Sequence, residues 1–190
     1  MDGFGGLHLF GSAPALSGGA YWPGFDIARD LVLRPRGGGW ILNGWGGVRA
    51  FGGAPRAGGA PYSLGNDYAK KLVRINGRFN VLDAFGGLHP FGSGPHVDSP
   101  YWPGWAVARD IRTNPDGPGG YLLDAYGGIW PVGGAPTLPG VPYFGRDRAR
   151  GFVLLPGGRG YTVRDDGALV GFGGAGRLLQ GRATWVNAPP

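Results

Sequence analysis

Along the chain, apolar side chains recur at every second position in short runs, and glycine- and proline-rich turns cut each run off. Residues 83–123 show this most plainly. Over 105–113, Ala106, Ala108, Asp110 and Arg112 alternate with Val107, Arg109 and Ile111, the period-2 pattern of a strand. Residues 114–119 (NPDGPG) predict a turn, because proline fixes φ and glycine reaches positive φ. Residues 120–125 (GYLLDA) predict a second strand, 124–128 (DAYGG) a tight connection capped by the Asp124 side chain, and 129–133 (IWPVG) a third strand.

The same pattern recurs along the whole chain. Asp2, Asn43, Asp83 and Asp124 each open an Asp/Asn-x-aromatic-Gly-Gly run and Asp165 opens a degraded fifth copy, at spacings of 41, 40, 41 and 41 residues. A fixed period of about 40 residues marks a repeat architecture whose units bury their apolar faces against one another. The repeats run over 2–42, 43–82, 83–123 and 124–164, with a partial copy at 165–190, in one domain spanning 1–190. Each supplies three short antiparallel strands, with a weak fourth near its Ala-Pro segment. The expected fold is therefore all-β, a β-propeller of four to five blades. Units one and three share GGLHLFGS and GGLHPFGS, and units two and four share GGAP after the third strand, so an 81-residue pair has itself been duplicated. Third strands are expected at 7–10, 48–51, 88–91, 129–132 and 168–172, five against four of each other kind. Closure then requires either that the first and last segments share a blade or that open edges pair with another chain.

Gly (43) and Pro (18) make up about a third of the 190 residues, a level that without periodicity would point to disorder. Here the glycines sit in register with large apolar side chains, so the 42% of hydrophobic residues can be buried. There are 12 Asp and no Glu, 16 Arg against Lys70 and Lys71 alone, and a single Gln. That scarcity of good helix formers argues against long helices. The net charge is +6, but the arginines are dispersed through the repeats, which argues against a nucleic-acid partner. With no Cys there is no disulfide framework, thiolate zinc site or cysteine nucleophile. No run approaches the ~18 apolar residues of a membrane span, and the opening MDGFGGLHLFG has no basic n-region or continuous apolar h-region.

The stretch ARDIRTNPDGPGGYLLDAYGGIWPVGGAP, residues 108–136, resembles the Gly- and aromatic-rich propeller-like repeats of bacterial, especially actinobacterial, secreted and surface proteins. Their pattern has a P-D-G turn, a G-Y-x-L strand and a G-G-x-x-x-F-G strand. The likeness extends to about residue 175 and implies an extracellular or cell-surface setting, without implying an activity. Unit two departs from it, with Ile75-Asn76-Gly77 in place of the P-D-G turn.

Several repeated positions carry candidate chemistry. Arg29, Lys70, Arg109 and Arg150 each follow a repeated alanine. They form either an axial basic ring that holds an anion or a sugar acid, or internal struts that satisfy carbonyls and neighbouring aspartates. Trp22, Trp102 and Trp105, in YWPGF and YWPGW, sit in loops where an aromatic face either stacks on a sugar ring or wedges between blades, and Tyr62 and Tyr143 hold the matching tyrosine position. The turn aspartates Asp2, Asp83, Asp124 and Asp165 are explained by capping, and His8 and His89 by packing or edge roles. No Gly-x-Ser-x-Gly elbow, paired Glu acids or calcium loop exists, so no catalytic residue, metal or cofactor is expected. The leading expectation is a non-enzymatic binding module for carbohydrate or another surface ligand. The rivals are a structural module that assembles homo-oligomers through its blade edges and a recombinant propeller fragment with no selected ligand.

Overall fold

A computed structural model describes residues 1–58, 63, 65–90, 95–176 and 178. The described residues are all-β, as the alternation predicts, and their twelve strands form four three-stranded antiparallel sheets. The first sheet is β1 (Ala28–Leu33), β2 (Gly39–Asn43) and β3 (Val48–Phe51). The second is β4 (Ala69–Ile75), β5 (Arg78–Asp83) and β6 (Leu88–Pro90). The third is β7 (Ala108–Thr113), β8 (Gly120–Asp124) and β9 (Ile129–Val132), and the fourth is β10 (Ala149–Leu155), β11 (Arg159–Arg164) and β12 (Leu169–Phe172). Each sheet is a meander whose middle strand pairs with both neighbours.

Three strand boundaries differ from expectation. The first strand of the third sheet starts at Ala108 rather than 105, because Pro103 and Gly104 (φ 73°) fold the chain into a turn closed by Trp105 N–H to Trp102 O at 3.0 Å. Residues 7–10 form no strand, since no second strand lies beside them, and Leu9 and Phe10 are exposed. The Ala-Pro segments around residues 54 and 135 are irregular, in keeping with proline's missing N–H. The described residues thus hold four third strands rather than five, and 168–172 belongs to a complete sheet as β12.

Each first strand carries a β-bulge at its outset, with register shifts at Ala28/Asp30, Ala69/Lys71, Ala108/Asp110 and Ala149/Gly151. The extra residue in the four bulges is Arg29, Lys70, Arg109 and Arg150, so the repeated cation is the one that the bulge re-aims out of the ladder.

A backbone hydrogen-bond relay ties the sheets together at this end. Gly44 N–H donates to Ile27 O inside the first sheet at 2.7 Å, and Gly44 O accepts Ala69 N–H of the second at 2.9 Å. Ala84 repeats the relay between Tyr68 O and Ala108 N–H, and Ala125 between Val107 O and Ala149 N–H. The N-terminal segment joins it through Gly3 O, which accepts from Ile27 and Ala28 N–H at 2.8 Å.

The apolar cores lie between successive sheets. Leu42 meets Ala69, Leu72 and Val81 at the first junction. Val73, Ile75, Leu82 and Leu88 meet Ala108, Ile111, Leu122 and Val132 at the second. Tyr121, Leu123 and Ile129 meet Ala149, Phe152 and Phe172 at the third. Gly120 is what lets Ile75 lie against β8, for a Cβ there would stand 2.6 Å from Ile75 Cδ1. First strands pack in the order β1, β4, β7, β10, and among the described residues the same close packing does not recur between the fourth sheet and the first.

The junctions also alternate. Asp30 Oδ2 accepts Leu72 N–H of the next sheet at 2.8 Å, and Asp110 Oδ2 accepts Phe152 N–H at 3.3 Å. The junction between them is instead bridged by Asn76, which donates to Gly133 O and accepts from Gly119 N–H, and by Thr113 Oγ1 to Arg74 O.

Candidate ligand cleft between the first two sheets

The relay end is also where each second strand turns into its third. In the turn at Asp83, Oδ1 accepts the N–H groups of Phe85 and Gly87, both at 2.8 Å, while Oδ2 meets His89 Nε2 at 2.8 Å. Asp2 makes the same three contacts with Phe4, Gly6 and His8, and Asp124 makes them with Tyr126, Gly128 and Trp130 Nε1. Asn43 holds Trp45 and Gly47 in the same way. The His8 hydrogen bond is the main cause that holds Asp2 below the usual carboxylate range. These aspartates are turn caps, and the capping lifts one aromatic per turn (Phe4, Trp45, Phe85, Tyr126) onto the rim.

The fifth copy departs from the expected register. Arg164, not Asp165, stands at the capping position: Arg164 N–H donates to Ala168 O and Gly167 N–H to Arg164 O, the pattern of the Asp83 turn. The shift follows from the β10–β11 hairpin, one residue shorter than that of β7–β8, as Ala149 pairs with Arg164 where Ala108 pairs with Asp124. Asp165 instead takes the relay position, its N–H donating to Arg148 O. Arg148 lies against both Asp165 and Asp166, and its hydrogen bond holds the Asp165 carboxyl low.

Next to the aromatic rim lie the bulge cations. Arg29 reaches across to Asp67 of the second sheet (Nε to Oδ1, 2.9 Å), and Arg109 to Asp147 of the fourth (Nη2 to Oδ2, 2.8 Å). The Arg29 hydrogen bond holds Asp67 below its ordinary value; burial pulls Asp147 upward, and the bonds from Arg109 and Arg150 outweigh it. Lys70 Nζ reaches only Asp67 O, at 3.4 Å, because Ala106 stands where the other sheets place an aspartate.

The loop aromatics divide into two groups. Trp22 and Trp102 are half-buried, and their rings lie over the turn glycines; a Cβ on Gly86 (φ 94°) would stand 2.9 Å from the Trp102 ring. They brace the turns. Trp105 and Tyr143, by contrast, are 53% and 72% exposed and flank Tyr126, with ring centroids 5.5 and 6.2 Å away. Tyr62 lies outside the described residues.

Between the first and second sheets the rim opens into a cleft of about 310 Å³. Trp45, Tyr68, Phe85 and Tyr101 wall it, and Ser63, Asn66, Asp83 and His89 supply its polar groups. Tyr68 stands edge-on to Phe85 at 4.9 Å. Asn66 sets this cleft apart from the matching places in the first and third sheets. Phe25, Asn66 and Trp105 occupy matching places, each donating its N–H to the residue three before it, and Phe25 and Trp105 lie against the turn aromatics Trp45 and Tyr126. Asn66 is too small to do so and turns to Ser63 Oγ at 2.9 Å instead. No protein-family model, curated protein or solved structure matches the chain.

A second hollow, of about 340 Å³, lies at the opposite end and is lined by Arg74, Asn76 and Thr113 with glycines and Pro118. It has no aromatic wall, and its polar side chains are engaged structurally: both polar groups of Asn76, the Thr113 hydroxyl and Arg74 Nε all bond to backbone. Among the described residues no group of His and Asp is placed to hold a metal. The sequence singled out Trp105 and Tyr143 but missed Trp45, Tyr68, Phe85, Tyr101 and Asn66. The available signal was the replacement of Phe25 and Trp105 by Asn at the equivalent position.

Proposed function

We propose that the chain is a non-enzymatic glycan-binding module whose sheets are blades of a β-propeller type, and that its ligand enters the cleft between the first and second sheets. One observation carries the reading: four aromatic side chains line a cleft whose hydrogen-bonding groups are Ser63, Asn66, His89 and the turn-capping carboxylate of Asp83. Aromatic faces take up the C–H faces of a sugar ring while neighbouring polar groups meet its hydroxyls. The exposed Trp105–Tyr126–Tyr143 group continues the aromatic row along the third sheet, where a longer chain would meet further faces.

The test is a glycan array with the wild type and Asn66→Trp, the residue the third repeat already uses at this place. The variant is expected to keep its unfolding midpoint and lose array binding. Wild-type silence at high protein density, or a variant that binds like wild type, would overturn the reading.

A second reading, self-assembly, is favoured by the open order of the sheets, since among the described residues no close packing joins the first sheet to the fourth. It predicts a mass above the monomer in sedimentation at micromolar concentration. A strict monomer would exclude it.

A further inference from the structure

We infer that the cleft selects uncharged glycans over acidic ones, and that His89 is the acceptor that reads a ligand hydroxyl. The inference rests on the glycan reading above and names the ligand class of the same cleft. A carboxylate can only accept a hydrogen bond. The hydrogen between His89 Nε2 and Asp83 Oδ2 therefore belongs to Nε2, so in the uncharged form of the ring Nδ1 carries no hydrogen and can accept one. His89 lines the cleft with its side chain 45% exposed, and Asp83 is its one hydrogen-bond partner among the described residues.

Trp130 shows what the histidine adds. At the matching position it donates its ring N–H to Asp124 at 2.8 Å but has no second nitrogen to offer. The turn needs only the donor; the acceptor is surplus to the fold.

The remaining groups point the same way. Asn66 donates to Ser63, which leaves its Oδ1 as another acceptor, and the Tyr68 and Tyr101 hydroxyls have no partner among the described residues. No Lys or Arg lines the cleft, and its one carboxylate, Asp83, is held by three hydrogen bonds. A sugar hydroxyl finds acceptors there. A uronate or sulfate finds acceptors and a negative charge, with no cation to answer its own. This runs against the net charge of +6, which draws acidic polymers non-specifically. Selectivity for neutral sugars would therefore come from the cleft itself.

The test is an array carrying gluco-, galacto-, manno- and xylo-oligosaccharides beside glucuronic- and galacturonic-acid oligomers, read at about 0.15 M salt to screen long-range attraction. The wild type, Asn66→Trp, His89→Leu and His89→Gln are compared. Signals are expected on neutral oligomers, absent in Asn66→Trp. His89→Leu is expected to weaken them by about three- to tenfold, the loss of one hydrogen bond. His89→Gln keeps an N–H for Asp83 and offers an oxygen, so it is expected to stay within about twofold of wild type by the same reasoning. Cleft-dependent binding of acidic oligomers as strong as that of neutral ones would overturn the selectivity while leaving the glycan reading in place. A His89→Leu variant that binds like wild type would overturn the role of His89. Silence on every sugar would overturn both readings together.

Discussion

Removing the Asp124 carboxylate tests whether the turn cap or the surrounding sheet holds the rim in place. Asp124 is 6% exposed, and its oxygens accept Tyr126 N–H at 2.8 Å, Gly128 N–H at 2.9 Å and Trp130 Nε1–H at 2.8 Å. Trp130 is 43% exposed, so its indole N–H can turn to water, whereas the two backbone donors are held in the turn. Leaving a buried donor unsatisfied costs about 1–3 kcal/mol, so Asp124→Ala should lose about 3–4 kcal/mol. Asp124→Asn has an internal precedent in Asn43, whose Oδ1 holds Trp45 N–H at 3.1 Å and Gly47 N–H at 2.7 Å. It keeps both backbone bonds and loses the charged acceptor for Trp130, at a cost of about 1–2 kcal/mol. In Trp130→Phe the indole partner is already gone, so the added cost of Asp124→Asn should shrink by about 1 kcal/mol. Urea unfolding at neutral pH reads all four variants. An alanine variant within about 1 kcal/mol of wild type, or an asparagine variant as costly as alanine, would refute the argument that the cap carries the turn.

Other consequences follow from the junctions. Asp110 is 2% exposed and links Ile111, Arg112 and the Phe152 N–H of the fourth sheet. Asp110→Ala should therefore cost about 2–4 kcal/mol, and Asp30→Ala less, because the Asp30 side chain is 17% exposed; equal urea midpoints would contradict this. Asp67 and Asp147 are both held below the ordinary aspartate value, so their contribution is complete above about pH 5 and is lost as pH falls through about 3.9 towards the folded values. Both side chains are about half exposed, which limits each to about 1 kcal/mol or less. The double variant Arg29→Met, Arg109→Met should show a shallower loss of stability between about pH 5 and 2, and an unchanged acid slope would sink the assignment.

The strands were legible because their signal is local. Alternation over 108–113, the NPDGPG turn and the Gly-Gly connection each fix a few dihedrals without outside help, and the structure follows them. The bulge was not legible, since an extra residue in one strand is defined only by its partner: Ala108 opposite Asp124 and Asp110 opposite Leu123 leave Arg109 between them. The fifth copy misled for a related reason. Asp165 matches the spacing of its predecessors, but hairpin length, not sequence period, decides which residue reaches the cap, and that residue is Arg164. The cleft needed knowledge of three chain segments at once, which periodicity alone does not supply.

The repeat and the site stand in opposition. Among the described residues the bulges, the relay and the cores are closed by contacts within the protein, with the buried Asn80 Oδ1, Thr162 Oγ1 and Arg164 Nε left without a partner. Function has to come from a place where the pattern breaks and something is left unanswered. Lys70 is one such break, where an alanine replaces the expected aspartate, yet it is a lone surface cation whose place no wall encloses. The loss of the aspartate cap at Arg164 is another, but Asp166 meets the Arg164 guanidinium and closes it. Asn66 differs from both. Its small side chain leaves Phe85 without the ring that Trp105 sets against Tyr126, and it does so beside His89, which like His8 carries a ring nitrogen that the turn does not use. Of these two histidines it is His89 that lines a cleft, so the open volume and the unused acceptor stand in one place, as a binding site requires.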